Sequence, residues 1–325
     1  MRTLIVAEDG RVTRDAPTGT IRELLARPEV VVWLDIQSPD LDDARLLEDE
    51  FDFHPLAVED AIRAHERPKV EAHGHYYFIV FYAADFGTTA DAIDLQGLHL
   101  FVGSNFLITV HATPISEVTD TMNRCLAGGP SGAGPLTHQV GALVYALLDA
   151  VVDEYFPLMD QVADRIEDLE DTIFIQFDER SIQTIFSLKK DLLRLRHVVS
   201  PQRDVMNRLL RLELPVFRQD DLPYLQDIYD HIVRVTDTVD TYRDLLSSAL
   251  DSYLSLQSNR LNEIMKVLTI ASIVLMSAAL VTGFYGMNFR FMPELDWPLG
   301  EAYVLGLMAL IGAGLVVYFR RRKWL

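Results

Sequence analysis

"YLQDIYDHIVRVTDTVDTYRDLLSSALDSYLSLQSNRLNEIMKVLTIASIVLMSAALVT" runs from Tyr224 to Thr282 without a glycine or a proline. One helix over that span would be roughly 90 Å long at 1.5 Å per residue. A helix of that length needs coiled-coil packing, a membrane, or both. Signals for both are present. Ile228, Val235, Tyr242, Ala249 and Leu256 recur every seven residues, as do Ile232, Val239, Leu246 and Tyr253. That is an apolar heptad seam over about four repeats. After Lys266 no charge appears until Arg290, which leaves an apolar run long enough to cross about 30 Å of hydrocarbon.

A second apolar segment, Leu299 to Phe319, carries one charge, Glu301, near its start. Arg320, Arg321, Arg322 and Lys323 follow directly, and the positive-inside rule places such a tail in the cytoplasm. Two crossings return the chain to the side it left. The expectation is a multi-pass protein of the inner or plasma membrane with both termini cytoplasmic. The stretch "MNFRFMPELDW" is then the one outer loop, and Tyr285, Trp297 and Trp324 are interfacial anchors.

The 325 residues have a formal net charge of -19 yet a positive mean hydropathy, so the apolar residues must be concentrated. Such acidity argues against nucleic acid as a partner and fits a protein that handles cations. With one cysteine, Cys125, no intrachain disulfide can form, which suits a reducing compartment. The first residues, "MRTLIVAEDG", hold too short an apolar run for a signal peptide.

Upstream of the long helix the fold class reads as α/β, giving an α+β membrane protein overall. Val30–Gln37, His75–Ala83, Leu98–Gly103 and Phe106–His111 are strand-like runs bounded by turn residues. Ser38-Pro39-Asp40 reads as a helix start capped by Ser38. Beyond the Gly-rich break at Ala127–Pro135 the strands give way to helices, with Pro157 and Pro201 as kinks or boundaries. An acidic cluster (Asp164, Glu167, Asp168, Glu170, Asp171) and a basic one (Lys189, Lys190, Arg194, Arg196) predict a charge-matched antiparallel hairpin. The expected organisation is a cytosolic α/β domain at 1–135 and a cytosolic helical hairpin at 136–220. A stalk helix at 221–285 would contain the first span, about 265–285. An outer loop at 286–299, a second span at 300–319 and a basic tail at 320–325 complete the chain.

The other faces of the long helix carry the chemistry. Asp230, Asp237, Asp244 and Asp251 are seven apart, and the series continues as Ser258, Met265, Ser272 and Ala279. The adjacent series is Thr241, Ser248, Ser255, Asn262, Thr269, Met276 and Gly283. Each half alone fits a solvated face or helix packing in a membrane. Their continuation along one side, ending at Gly286-Met287-Asn288, reads as the wall of an aqueous path. Two spans per chain cannot enclose water, so the path requires several copies, and the heptad seam supports that.

At "YGMNF" with "MPEL" the sequence resembles the CorA-type magnesium transporter family, with Gly286-Met287-Asn288 as the family's signature triplet. "RPKVE" (Arg67–Glu71), "YDH" (Tyr229–His231), "NEIMKVLT" (Asn262–Thr269) and the tail "RRRKWL" match as well. The resemblance implies a homopentamer in the lipid bilayer that carries Mg²⁺ inward, with Mg²⁺ both transported and regulatory and no organic cofactor. It implies Asn288 and Asn262 as polar rings, and Met265, Leu268 and Met276 as an apolar constriction. Asp251 becomes a funnel carboxylate and Glu294 an outer-loop attractor of cations. Asp227 becomes a regulatory ligand, with Asp85 as its partner at a slightly displaced spacing. Where some relatives carry Thr, this chain has Ala279, which leaves open the preference among Mg²⁺, Co²⁺ and Ni²⁺.

His73 and His75 alternate as on one strand face, where two imidazoles can ligate a metal, but a polar strand face explains them as simply. No catalytic triad, phosphate loop or Cys/His zinc spacing is visible, so an enzyme is not expected. Two rivals stand: a zinc- or nickel-transporting relative on the same scaffold, and a membrane-tethered coiled-coil sensor without a pore.

Overall fold

The computed structural model describes residues 1–8, 11–14, 21–63, 66–86, 92–127, 139–175, 179–211, 216–217, 219–287 and 297–324. The chain divides into two compact units, Met1–Ala249 and Leu250–Leu325. The first contains a seven-stranded sheet in the order β2-β1-β3-β7-β6-β5-β4. Its strands are β1 (Arg2–Glu8), β2 (Arg11–Arg14), β3 (Val31–Gln37), β4 (Lys69–His73), β5 (Tyr76–Phe86), β6 (Ile93–Gly103) and β7 (Phe106–His111). Among these strands β3 and β7 pair in parallel, and the other pairs are antiparallel. The central strands are apolar on both faces, as a covered sheet requires: all six residues of β7 are buried.

Helices α1 (Ile21–Leu25), α2 (Leu41–Phe51), α3 (Pro55–Arg63) and α4 (Ser116–Ala127) accompany the sheet. The cap of α2 is Asp40, not Ser38. Asp40 accepts the Asp42 and Asp43 N–H groups at 2.9 Å each, and Asp43 accepts the Asp40 N–H in return. Ser38 instead has φ 52° and donates to the Ala112 carbonyl. Ser38 stands in the left-handed region, whereas an N-cap is extended, as Asp40 is with φ -122°, so the helix starts two residues later.

Helices α5 (Val140–Asp153), α6 (Tyr155–Ile175) and α7 (Glu179–Arg211) follow. Pro157 sits in the first turn of α6, where its missing N–H has no intrahelical partner to lose, so the break falls before it. Pro201 lies inside α7 and does not end it. Gln202, next to it, is fully buried and donates to the Tyr82 carbonyl at 3.0 Å, and the Tyr155 hydroxyl donates to the same oxygen at 2.6 Å. These bonds tie α6 and α7 to β5. Arg196 and Lys189 of α7 reach α8 (Leu222–Tyr285), and Arg194 reaches the Ile93 carbonyl of β6. Arg196 pairs with Asp240 at 2.6 Å, and Lys189 donates to Ser247 at 2.8 Å. In the second unit, α9 (Gly300–Arg321) follows α8.

The core holds one polar chain. Trp33 donates to the Thr109 hydroxyl at 3.1 Å, Thr109 donates to the Asp35 carboxylate, and His111 Nε2 lies 3.0 Å from the same carboxylate. His111 Nδ1 faces the Thr113 carbonyl at 2.6 Å. Both ring nitrogens face acceptors, so both donate and the ring is an imidazolium. Burial pushes its pKa down, but the Asp35 hydrogen bond and charge and the Thr113 carbonyl outweigh burial and hold it above the ordinary value. A raised histidine pKa contributes stability that is fully present below the unfolded value, about 6.5, and is lost as pH rises through the folded value. The melting-temperature gap between the wild type and His111→Asn is therefore expected to be widest near pH 6 and to narrow on going alkaline. A gap constant with pH would contradict the ion pair.

Candidate functional site

Helix α8 has two unlike sides. Ile228, Ile232, Val239 and Leu246 are fully buried, and Val235, Ala249 and Tyr253 nearly so. In the first unit the buried side lies against the chain's own helices. Tyr224 packs on Tyr145 of α5, and His231 and Arg234 both lie against Phe156 of α6. The heptad seam is thus consumed within one protomer and does not itself speak for association between copies. Its period of seven satisfies any helix lying along other helices at a shallow angle.

The opposite side is uncovered. Asp230, Asp237, Asp244, Asp251, Thr241, Ser248, Ser255 and Ser258 are exposed. So are Asn262, Met265, Leu268, Ser272, Met276, Ala279 and Gly283, while Thr269 is half-buried. The hydroxyls of Thr241, Ser248 and Thr282 donate to backbone carbonyls one turn earlier. That fixes the proton and leaves the oxygen lone pairs pointing away from the helix, ready to accept from water. The helix closes at Gly286, whose N–H donates to the Thr282 carbonyl at 2.9 Å. A methyl group on Gly286 would stand 3.0 Å from that oxygen, a close approach that favours glycine. Met287 is exposed. Asn288, Glu294 and the MPEL residues lie outside the described residues.

Helices α8 and α9 are both long and apolar enough to cross a membrane, and only 11% and 6% of their most apolar windows are buried. They are not core helices of a soluble body. In the second unit Trp324 returns to the start of the apolar run of α8. It shares an open groove of about 520 Å³ with Asn259, Asn262, Glu263, Met265, Lys266 and Thr269.

A second site lies between α5 and α8 in the first unit. Ligand atoms of Asp149, Asp227 and His231 fall within 4.8 Å of one another. The His231 ring stands edge-on to Phe156 at 5.2 Å. Its Nε2 is 3.7 Å from Asp227, and its Nδ1 is 3.5 Å from Asp153 without a hydrogen bond. Asp149 is held above the usual carboxylate range by burial first, then by the charges of Asp153 and Asp227. The neighbouring Tyr145 is pushed up to about 12 by burial and the same carboxylates. Two carboxylates and one imidazole around one point, with Asp153 beside the ring and the negative form of Asp149 penalised, make a site that a divalent cation would relax. Two oxygens and a nitrogen suit Co²⁺ and its neighbours, and the carboxylates suit Mg²⁺.

Of the residues expected here, Asp227 belongs to this cluster. Asp85 does not: it is an exposed residue of β5 opposite Asp94. Asp149 joins it unforeseen, and His231, read above only within "YDH", is now a candidate ligand. His73 and His75 do not share a strand face. His73 pairs with Tyr76 across a two-residue turn in which Gly74 has φ 57°, so His75 belongs to the turn and approaches the Phe51 carbonyl at 3.0 Å.

Residues 28–321 match the family model described as CorA-like Mg2+ transporter protein. The chain belongs to that family. It is 36% identical over 276 residues to the cobalt/magnesium transport protein CorA of Thermotoga maritima, covering 85% of this chain and 78% of that one. Identity to the CorA protein of Methanocaldococcus jannaschii is 26% over 322 residues, 99% of both chains. The complete structure of the CorA magnesium transporter from the latter organism superposes with a TM-score of 0.86 at 25% identity, covering 99% of this chain and 98% of that one. The family likeness thus embraces the sheet, α8 and both apolar helices.

The strained carboxylates of this CorA-family protein predict a metal-linked stability. A site filled at 100 times its dissociation constant adds about 2.7 kcal/mol. Titrating the metal-free protein with Co²⁺ or Mg²⁺ should raise its melting temperature. Asp227→Asn should remove most of that rise while leaving the metal-free protein no less stable, because a charge that repels the Asp149 carboxylate is gone. An undiminished rise in the variant would place the cation elsewhere.

Proposed function

We propose that the protein is a channel-like transporter through which hydrated Mg²⁺ enters the cytoplasm down its electrochemical gradient, built as a homopentamer with copies of α8 around one axis. The observation that carries this is the uncovered polar side of α8, running from Asp230 to Met287 opposite a buried apolar seam. A face of carboxylates, hydroxyls and an amide that enters an apolar span needs water or polar partners, and lipid offers neither. Two spans per chain cannot enclose a water path, so the partners are further copies.

Each segment of the face has a task in this reading. Glu294 and the Asp row through Asp251 concentrate cations at the two ends. Mg²⁺ gives up its water reluctantly and prefers oxygen ligands. Rings of Asn288 and Asn262 side-chain carbonyls, with the oxygens of Thr269 and Ser272, accept hydrogen bonds from the ion's own water shell. Met265, Leu268 and Met276 form an apolar constriction that closes by dewetting. The membrane potential contributes about 4.6 kcal/mol for a divalent ion at 100 mV. The relatives named as cobalt/magnesium transport proteins support Co²⁺ as a second cargo.

Regulation follows from the clustered carboxylates. Mg²⁺ bound at Asp227, with Asp149 and His231 in one protomer and Asp85 of a neighbouring copy, neutralises acidic faces that otherwise repel. Binding then favours the closed assembly, and loss of Mg²⁺ opens it.

The decisive measurement is Mg²⁺ uptake into vesicles holding the purified protein. Asn288→Ala is expected to abolish uptake while the oligomer persists in size-exclusion chromatography. No uptake by the wild type would favour the tethered-sensor reading, uptake by Asn288→Ala at the wild-type rate would remove Asn288 from the path, and preferential Zn²⁺ or Ni²⁺ flux would favour the related-cargo reading.

A further inference from the structure

We propose that the inner ends of the two apolar helices form a binding site for the headgroup of an anionic phospholipid of the cytoplasmic leaflet. The proposal rests on the membrane reading above but not on ion flux. Four successive cations, Arg320 to Lys323, follow the last apolar residue of α9, and all four are exposed. They do not trail away. Lys323 adopts φ 59°, its N–H donates to the Arg320 carbonyl at 3.1 Å, and the Trp324 N–H donates to the Phe319 carbonyl at 3.0 Å. A left-handed residue closed by a six-residue hydrogen bond is a helix-terminating turn. It is built here without glycine, and it folds Trp324 back until its ring stacks on Phe319 at 5.7 Å and 22°. The Arg322 guanidinium is held 5.9 Å from the Tyr318 ring.

The turned-back tail brings Trp324 into the groove that contains Lys266, the last charge of α8 before its apolar run. One pocket thus joins an ammonium, an amide donor from Asn259 and an indole, and the four tail cations directly precede that indole in the chain. This gradient from charged to apolar matches a phosphate followed by the start of an acyl chain. Tryptophan favours that depth in a bilayer, and clustered cations on the cytoplasmic side of a span attract anionic lipid. Glu263 is the one acid lining the groove, outnumbered by Lys266 and the tail. The chain as a whole carries a net charge of -19 and is repelled by an anionic leaflet, so attraction has to be local. At about 100° per residue, Asn259, Glu263 and Lys266 lie about 40–100° round the helix from Asn262. The headgroup is therefore assigned to the Lys266 flank of the groove, whose other edge, Asn262, Met265 and Thr269, belongs to the proposed conduit face.

The test uses full-length protein in detergent, offered equal amounts of phosphatidylglycerol and phosphatidylcholine with identical acyl chains, and native mass spectrometry to count the lipids retained. The wild type is expected to retain phosphatidylglycerol in excess. Lys266→Gln, which leaves the tail and its topology signal intact, should lower that preference about 5-fold, the effect of one cation near the surface. Arg321→Gln with Arg322→Gln should lower it further. Equal retention of the two lipids by the wild type overturns the proposal, as does an undiminished preference in Lys266→Gln or displacement of phosphatidylglycerol by inorganic phosphate. Flux measured on the same preparation separates the two readings. Lipid preference without flux defeats only the transporter, and flux without lipid preference defeats only the lipid site.

Discussion

Everything in this structure depends on α8 being buried along one side only. A helix of 64 residues gains little from its own backbone bonds and needs its apolar stripe covered along the way. The chain's own α5 and α6 cover it in the first unit, through Tyr145 and Phe156, and α7 adds the Arg196–Asp240 and Lys189–Ser247 links. What they do not cover is the aspartate side. Within one helix those carboxylates are about 10 Å apart, beyond the Debye length of roughly 8 Å at physiological salt, so they scarcely disturb one another. Repulsion becomes important only when copies of α8 approach, and then cations between them decide whether approach is favourable. In the proposed pentamer, assembly and ion concentration would thus be linked by the same side chains.

The sheet contributes by fixing where α5 stands. Tyr155, just past the end of α5, and Gln202 of α7 both donate to the Tyr82 carbonyl of β5. The helix that presents Asp149 and Asp153 is therefore anchored to a strand buried on both faces. Asp227 and His231 come from α8. A cation held among them ties a rigid sheet-anchored helix to the helix proposed to line the path. That is a physical route from cytosolic ion concentration to the position of α8, and it needs no change in the sheet itself.

Much of this was legible in the sequence, and the exceptions have physical causes. The long helix, the second apolar helix and four strands could be read from periodicity and β-branched runs. Strands β1, β2 and β4 were missed: β2 is four residues long and β4, "KVEAH", lacks an apolar run, whereas β1, "RTLIVAE", has one that was weighed only as a signal segment. The seam of α8 was read correctly as apolar, but its partner was not, since a heptad repeat reports a shallow crossing and not whose helix does the crossing. The cap of α2 moved from Ser38 to Asp40 because Ser38 takes a left-handed conformation and Asp40 the extended one that a cap needs. Asp227 and His231 are one turn apart on α8, and Asp149 and Asp153 one turn apart on α5, so each pair was visible on its own helix. Their convergence is a tertiary fact that no local spacing contains.

The order of chemical groups along α8 is itself an argument about transport. In the seven-residue series through Asp230 and Thr241 carboxylates occur as far as Asp251; beyond it these series offer an amide at Asn262, thioethers, and hydroxyls at Thr269 and Ser272, with Glu263 on the neighbouring flank. A carboxylate 4 Å from a divalent ion, in surroundings of effective dielectric constant near 20, gains about 8 kcal/mol of attraction. At 1.4 kcal/mol per factor of ten, that slows escape by about a million-fold, and a ring of such groups would bind the ion and keep it. Neutral oxygens at the same depth hold only the water shell, and they release it as readily as they accept it. In the proposed channel, charge stands where water is plentiful and residence is harmless, and neutral oxygens stand where the ion must keep moving. A helix that served only as an anchor would have no reason to separate its acids from its amides in this order.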